Sequence, residues 1–274
     1  MGNFGPIVSP EWLHEHIGDP DLRVIDFRWY LMGGKGRDAY ERGHIPGAVF
    51  VDLEAVTGKE GGGRHPLPAG EQFESEMQKA GIGPQTKVIA YDDAGGSIAS
   101  RLWFLLRFFG HGRQAVLDGG LAAWEGPLET QAPSVPRGTF KSREPDRSGI
   151  LDNEEVRALA GVPIIDARAG ERYRGEKEPV DPKAGHIPGA LSAPWAENLG
   201  PSGRFKSREE LRQRFAALGI GDESGAVAYC GSGVNATHDL LAMELAGIKN
   251  GRLYAGSWSD WSARDLPVAT GPNP

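Results

Sequence analysis

The chain repeats itself, and this constrains its fold more than any other feature. Arg42-Gly43-His44-Ile45-Pro46-Gly47-Ala48 in the first half returns in the second as Ala184-Gly185-His186-Ile187-Pro188-Gly189-Ala190, and Val24-Ile25-Asp26-Phe27-Arg28 returns as Ile164-Ile165-Asp166-Ala167-Arg168. Val88-Ile89-Ala90-Tyr91-Asp92 is answered by Ala226-Val227-Ala228-Tyr229-Cys230. Leu117-Asp118-Gly119 through Trp124 is answered by Tyr254-Ala255-Gly256 through Trp261. Order and offset persist through all four pairs, the signature of a tandem duplication. Prolines at 127, 133, 136 and 145, among scattered polar residues, mark an exposed connector between the copies. The repeat therefore sets an N-terminal domain over residues 1–126, a linker over 127–147 and a C-terminal domain over 148–274, a division the chain length allows.

Each copy alternates short β-rich apolar runs with helical patterns. Ser9 is placed to cap a helix in which Trp12, Leu13, His16 and Ile17 share one side. Strands alternating with helices imply an α/β fold, each domain a mostly parallel sheet flanked by helices on both faces. In the second copy Leu240, Leu241, Met243 and Leu245 follow the loop after Cys230, and Gly247 is placed to end that helix. Cys230 thus stands at a strand's carboxyl end, where open α/β sheets bind ligands.

A net charge of -7 and the absence of any run of five or six Lys/Arg argue against a general grip on nucleic acid or anionic membrane. The longest apolar runs, such as residues 102–106, fall far short of the ~18 residues that span a bilayer. Residues 1–6 carry no basic-then-apolar leader, and Pro6 stands where a myristoylation signal wants Ser or Thr, so the expected location is the cytoplasm. One cysteine allows no internal disulfide and no cysteine metal cluster.

From Cys230 the sequence runs Cys-Gly-Ser-Gly-Val-Asn-Ala-Thr. Small residues at a strand-to-helix turn let successive backbone N–H groups converge above the sulfur, which makes an anion cradle. The same field favours the thiolate over the thiol and activates it as a nucleophile. An inert buried cysteine is the plainer alternative, but the position and the flanking glycines argue for chemistry.

On these residues the sequence resembles the tandem-domain rhodaneses, the thiosulfate and 3-mercaptopyruvate sulfurtransferases. The resemblance covers essentially the whole chain and is carried by residues 26–31, both Gly-His-Ile-Pro-Gly-Ala segments, Leu117-Asp118-Gly119-Gly120, the Cys230 loop and Gly256-Ser257-Trp258-Ser259-Asp260-Trp261. It implies two rhodanese-like domains, with Asp92 replacing the nucleophile in a catalytically inactive N-terminal copy. It implies double displacement: Cys230 takes a sulfane sulfur from a small anionic donor, forms a persulfide and passes it to cyanide, a small thiol or a thioredoxin-like acceptor. The loop N–H groups of Gly231, Gly233, Val234, Asn235 and Ala236 would hold the developing charge. No metal or organic cofactor is required, and a duplicated chain is expected to act as a monomer.

Thiosulfate users in the family place basic residues directly after the cysteine, where Gly231 and Ser232 stand here, so the loop is similar to the mercaptopyruvate branch. That branch implies a triad of Ser232, His65 and an acid, for which Glu54 stands where Asp is usual; Asp52 reads as a structural cap. His65 could equally be a packed loop histidine. Arg168 matches a donor-binding arginine, its alternative being an ion pair with Asp166 or Glu171, and Arg172 and Arg174 are further candidates. His44 and His186 read as fixed turns and Trp124 and Trp261 as core anchors. A cysteine phosphatase needs Arg six places after the cysteine, where Ala236 stands. A non-catalytic binding or regulatory module, or a protein sulfur-relay carrier, is the remaining alternative.

Overall fold

A computed structural model describes residues 5–274, so the reading made on residues 1–4 lies outside the described residues. The chain divides into two compact units. Among the described residues, unit 1 comprises 5–57, Pro68–Pro145 and Pro201–Arg204; unit 2 comprises Gly58–Leu67, Asp146–Gly200 and Phe205–Pro274.

Unit 1 holds five strands, β1 (Ile7–Val8), β2 (Leu22–Asp26), β3 (Val49–Phe50), β4 (Lys87–Tyr91) and β5 (Gln114–Leu117). They form one sheet in the order β1-β5-β4-β2-β3, every pair parallel. Unit 2 repeats this with β6 (Ile150–Leu151), β7 (Ile164–Asp166), β8 (Leu191–Ser192), β9 (Val227–Tyr229) and β10 (Arg252–Tyr254), in the order β6-β10-β9-β7-β8, again all parallel. Consecutive residues are buried along residues 88–91 of β4 and throughout β9, so both faces of each sheet centre are covered.

The helices start and stop where local chemistry directs. Ser9 Oγ accepts the Trp12 N–H at 3.2 Å at the head of α1 (Pro10–His16), with Pro10 in the first turn. The helices α2 (Gly36–Arg42), α3 (Gly70–Lys79) and α4 (Ala99–Phe108) complete unit 1. Unit 2 carries α5 (Asn153–Ala158), α6 (Gly170–Tyr173), α7 (Arg208–Ala217), α8 (Ala236–Ala246) and α9 (Ser257–Trp261). Asp152 with Glu155, and Ser207 with Glu210, form reciprocal capping boxes. Gly247 ends α8 at φ 79°, as its place in the sequence implies.

The two copies share one buried clamp, which explains the repeated motifs. Arg28 grips Asp26 through Nε and Nη2 (2.6 Å to Oδ2) and reaches the Gly43 carbonyl at 2.8 Å. Arg168 does the same to Asp166 (2.6 Å) and the Gly185 carbonyl (2.6 Å). His44 and His186 stack on Tyr40 and Tyr173 with ring centroids 3.8 and 3.7 Å apart, and their Nδ1–H groups donate to the carbonyls of those tyrosines. Both histidines are fixed turn elements. Trp124 and Trp261 are buried in the cores of their units. The connector is largely exposed, but Phe140 is buried against Phe73 and its N–H donates to the Ile82 carbonyl. Among the described residues no helix is long and apolar enough to cross a membrane.

Candidate active site

Cys230 follows β9 directly, and α8 begins six residues later. Its N–H donates to Ser257 Oγ at 3.1 Å, while its carbonyl accepts from Trp258 and that of Gly231 from Ser259, both at 2.9 Å. The Gly256–Trp261 motif is therefore the back wall that shapes the loop. Ser257, fully buried, takes a positive φ of 54° to make these contacts. Gly233 has φ 77°, and a methyl there would stand 2.6 Å from the Ala255 carbonyl, so only glycine fits. Val234 and Ala236 are buried and Asn235 is half-buried; Asn235 occupies the N-cap of α8 without a side-chain cap bond.

Unit 1 shows what such a loop does with a negative charge. Asp92, fully buried after β4, receives four backbone N–H groups: Ala94 and Gly96 at 2.8 Å on Oδ1, Ile98 at 2.7 Å and Ala99 at 2.8 Å on Oδ2. Burial pushes this carboxyl up, and the four donors pull the other way. A carboxylate fills a ring of amides in the copy where the cysteine is missing.

The segment Gly58–Leu67 packs as part of unit 2. Gly62 and Gly63 have positive φ and approach Asp260 and the Gly256 carbonyl too closely for any side chain, and the Arg64 N–H donates to Ser259 Oγ at 3.0 Å. The next residue, His65, is 4% exposed and places Nδ1 2.7 Å from Ser232 Oγ, two residues beyond the cysteine. Glu54 lies in unit 1, where its Oε1 accepts the Trp29 indole N–H at 3.0 Å. Asp52 Oδ1 accepts the Glu54 N–H at 3.0 Å, which is a capping contact.

Of the candidate arginines, only Arg172 reaches the loop. A methyl built on Gly231 would meet Arg172 Nη1 at 3.5 Å and, at 2.9 Å, Arg64 Nη2. Arg168 is 3% exposed, and its guanidinium is engaged by Asp166, the Gly185 carbonyl and Glu178 (3.2 Å), with its Cζ over the Trp258 ring, 4.6 Å from the centroid. Burial alone would lower its pKa; the carboxylates of Asp166 and Glu178 outweigh burial and raise it. Of the two roles weighed from the sequence, the ion pair with Asp166 is the one the geometry contains. Arg174 is paired with Glu176 at 2.7 Å and is more than a third exposed.

Arg64, Glu178 and Asp181 escaped the sequence reading. Arg172 binds Glu178 (2.6 Å) and Asp181 (3.1 Å), and Arg64 pairs with Asp181. Burial raises the Glu178 carboxyl, but Arg172 and the N–H groups of Val180 and Asp181 hold it below its ordinary range. At Asp181 burial wins and the carboxyl is pushed up. The run Gly61-Gly62-Gly63 was the available signal for Arg64, since consecutive glycines announce a close backbone approach. Among the described residues no cluster of three side chains fit to hold a metal occurs.

Both halves match the rhodanese-like domain, over residues 9–127 and 151–264. The chain is 45% identical to a Pseudomonas aeruginosa protein described as "Probable 3-mercaptopyruvate sulfurtransferase", across 97% of this chain and 98% of that one. It is 38% identical to SseB of Mycobacterium tuberculosis, provisionally named a thiosulfate sulfurtransferase, across 93% and 92%. The crystal structure of SseA from Escherichia coli, described under the rhodanese fold of 3-mercaptopyruvate sulfotransferases, superposes with a TM-score of 0.83 at 34% identity, covering 93% of this chain and 99% of that one. Two such domains, one bearing a cysteine loop, define a sulfurtransferase. The chain belongs to the rhodanese family.

Proposed function

We propose that the chain moves sulfur from 3-mercaptopyruvate, through a Cys230 persulfide, to a thiophilic acceptor. The hydrogen bond between His65 and Ser232 at 2.7 Å carries this choice of donor. When the Cys230 thiolate attacks the sulfur of 3-mercaptopyruvate, an S–S bond forms and the C–S bond breaks with its electron pair passing to carbon. The thiol proton must then reach that carbon to give pyruvate. A Ser–His pair two residues from the nucleophile is the group that can carry this proton. Thiosulfate makes no such demand, because sulfite departs as an anion. In the second step a cyanide or thiolate acceptor attacks the outer sulfur, forms thiocyanate or a new persulfide, and releases the Cys230 thiolate.

Arg172 supplies a cationic contact for the donor beside Gly231, and the backbone N–H groups entering α8 stabilise the persulfide anion as those of unit 1 hold the Asp92 carboxylate. The acceptor class is cyanide, a small thiol or a thioredoxin-like protein, and the working state is a monomer, which light scattering at several concentrations checks. The deciding experiment compares kcat/KM for 3-mercaptopyruvate and thiosulfate, with cyanide as acceptor and Cys230→Ser as blank. The expected result is a clear preference for 3-mercaptopyruvate; a preference for thiosulfate overturns the donor assignment.

A further inference from the structure

We propose that Ser257 is a positioning residue for sulfur transfer: its hydroxyl holds the Cys230 amide and so sets the direction in which the nucleophile's side chain points. The assignment rests on Cys230 as the nucleophile of the reading above and adds a residue that acts on it through the backbone. Among the described residues only Asn250 and Ser257 take a positive φ without being glycine, and Asn250 is exposed whereas Ser257 is fully buried. That backbone conformation is disfavoured for any residue with a Cβ.

The duplication supplies an internal comparison. At the matching place in unit 1 stands Gly120, at φ 58°. Leu121 after it donates to the Asp92 carbonyl (2.7 Å), as Trp258 after Ser257 donates to that of Cys230 (2.9 Å). Unit 1 thus makes the same bend with the residue that adopts it freely. A methyl on Gly120 would stand 2.5 Å from the Asp92 carbonyl, so this copy has no room for a side chain. Unit 2 instead keeps serine in the disfavoured conformation, and what it gains is a hydroxyl. Ser257 Oγ accepts the Cys230 N–H at 3.1 Å and donates to the Tyr254 carbonyl at 3.0 Å. Strain kept in the copy that carries the cysteine, and relieved in the copy that does not, belongs to the reaction rather than to the fold.

The hydroxyl completes the hold on both peptide groups that flank Cys230. The first is gripped at its two ends, the Tyr229 carbonyl by the Ala167 N–H (2.8 Å) and the Cys230 N–H by Ser257; the second is gripped at the Cys230 carbonyl by Trp258. Peptide groups are planar, so fixing the two planes fixes φ and ψ of Cys230 and the direction of its Cα–Cβ bond. The two carbonyl contacts recur in unit 1, where Phe27 donates to Tyr91 and Leu121 to Asp92; the hydroxyl contact is the one a glycine cannot supply. Loop N–H groups support a charge only at hydrogen-bond distance, as the four on Asp92 do, so a sulfur swung aside loses their support for its thiolate.

The test compares wild type with Ser257→Gly and Ser257→Ala. The chain has one cysteine, so its thiolate is followed by ultraviolet absorbance against pH, with the matching Cys230→Ser protein as blank. Thermal melts, and kcat and KM for 3-mercaptopyruvate and thiosulfate, accompany the titration. Glycine removes the hydroxyl and the strain together, so Ser257→Gly is expected to melt within about 5 °C of wild type. Its thiolate titration moves to higher pH, with about tenfold less thiolate at neutral pH; kcat falls about tenfold and KM changes by less than about threefold. Ser257→Ala shows the same titration and kcat but melts below the glycine variant, because it keeps the strain. A Ser257→Gly protein with a wild-type titration or a wild-type kcat, or one that melts more than about 5 °C below wild type, overturns the proposal. The titration needs no donor: if wild type turns over neither compound, the sulfur-transfer reading fails, and the titration alone decides whether Ser257 positions the thiol.

Discussion

At position 92 a carboxylate, and at position 230 a thiol, follow the central strand of two copies of one sheet. The first is held by four amides. Two residues beyond the second, Ser232 is hydrogen-bonded to His65. Ser232→Ala or His65→Asn is expected to lower kcat with 3-mercaptopyruvate about a hundredfold while altering thiosulfate turnover by less than about threefold; equal losses with both donors would remove the proton-carrying role. Arg168 gives Nε and Nη2 to Asp166, Nη2 also to the Gly185 carbonyl and Nη1 to Glu178, which favours a structural role for it. Arg168→Met leaves buried Asp166 unpaired and is expected to destabilise unit 2 by about 3–5 kcal/mol in denaturant titration. A stable variant with only a raised KM would return Arg168 to donor binding.

At the scale of the element, the site is the junction of β9 and α8, with α9 behind it. Gly233→Ala forces a side chain into positive φ and against the Ala255 carbonyl, so a loss of about 1–3 kcal/mol accompanied by slower sulfur transfer is expected from thermal melts and assays. Nine of the eleven residues of α8 are buried, among them Asp239, whose carboxyl burial pushes up to about 7. Between the unfolded value, about 3.9, and this one, the folded chain binds the extra proton. The resulting stabilisation is complete below about pH 4 and is lost as the pH rises towards 7, a change of a few kcal/mol at most. Stability is therefore expected to fall from pH 5 to pH 8 in wild type and much less in Asp239→Asn; parallel pH profiles for the two proteins would contradict this.

At the scale of the whole molecule, duplication has produced two strand-to-helix loops that carry different side chains, Asp92 in one and Cys230 in the other. Ala94 stands two residues after Asp92, where Ser232 follows Cys230. The double variant Cys230→Ser/Asp92→Cys is accordingly expected to turn over 3-mercaptopyruvate at least about 10³-fold more slowly than wild type, a comparison that steady-state assays make directly. The α/β class, the parallel sheets, the Ser9 cap, the Gly247 stop and the place of Cys230 were all legible in the sequence. They follow from short-range patterns: apolar period, capping side chains, glycine punctuation, and a repeat that shows each pattern twice. The partners of the arginines were not legible. Asp26-Phe27-Arg28 and Asp166-Ala167-Arg168 read alike, and sequence spacing alone does not tell an arginine gripping its neighbour from one facing a ligand. The place of Gly58–Leu67 in unit 2, and with it the meeting of Arg64 and Arg172 at Gly231, depends on close backbone contacts between residues far apart in the chain. The sequence by itself determined the fold, the duplication and the place of Cys230 at the end of its strand, because these are written in local periodicity and motif. Only the tertiary structure decided which charges pair with each other, because an ion pair is settled by distance and burial in three dimensions.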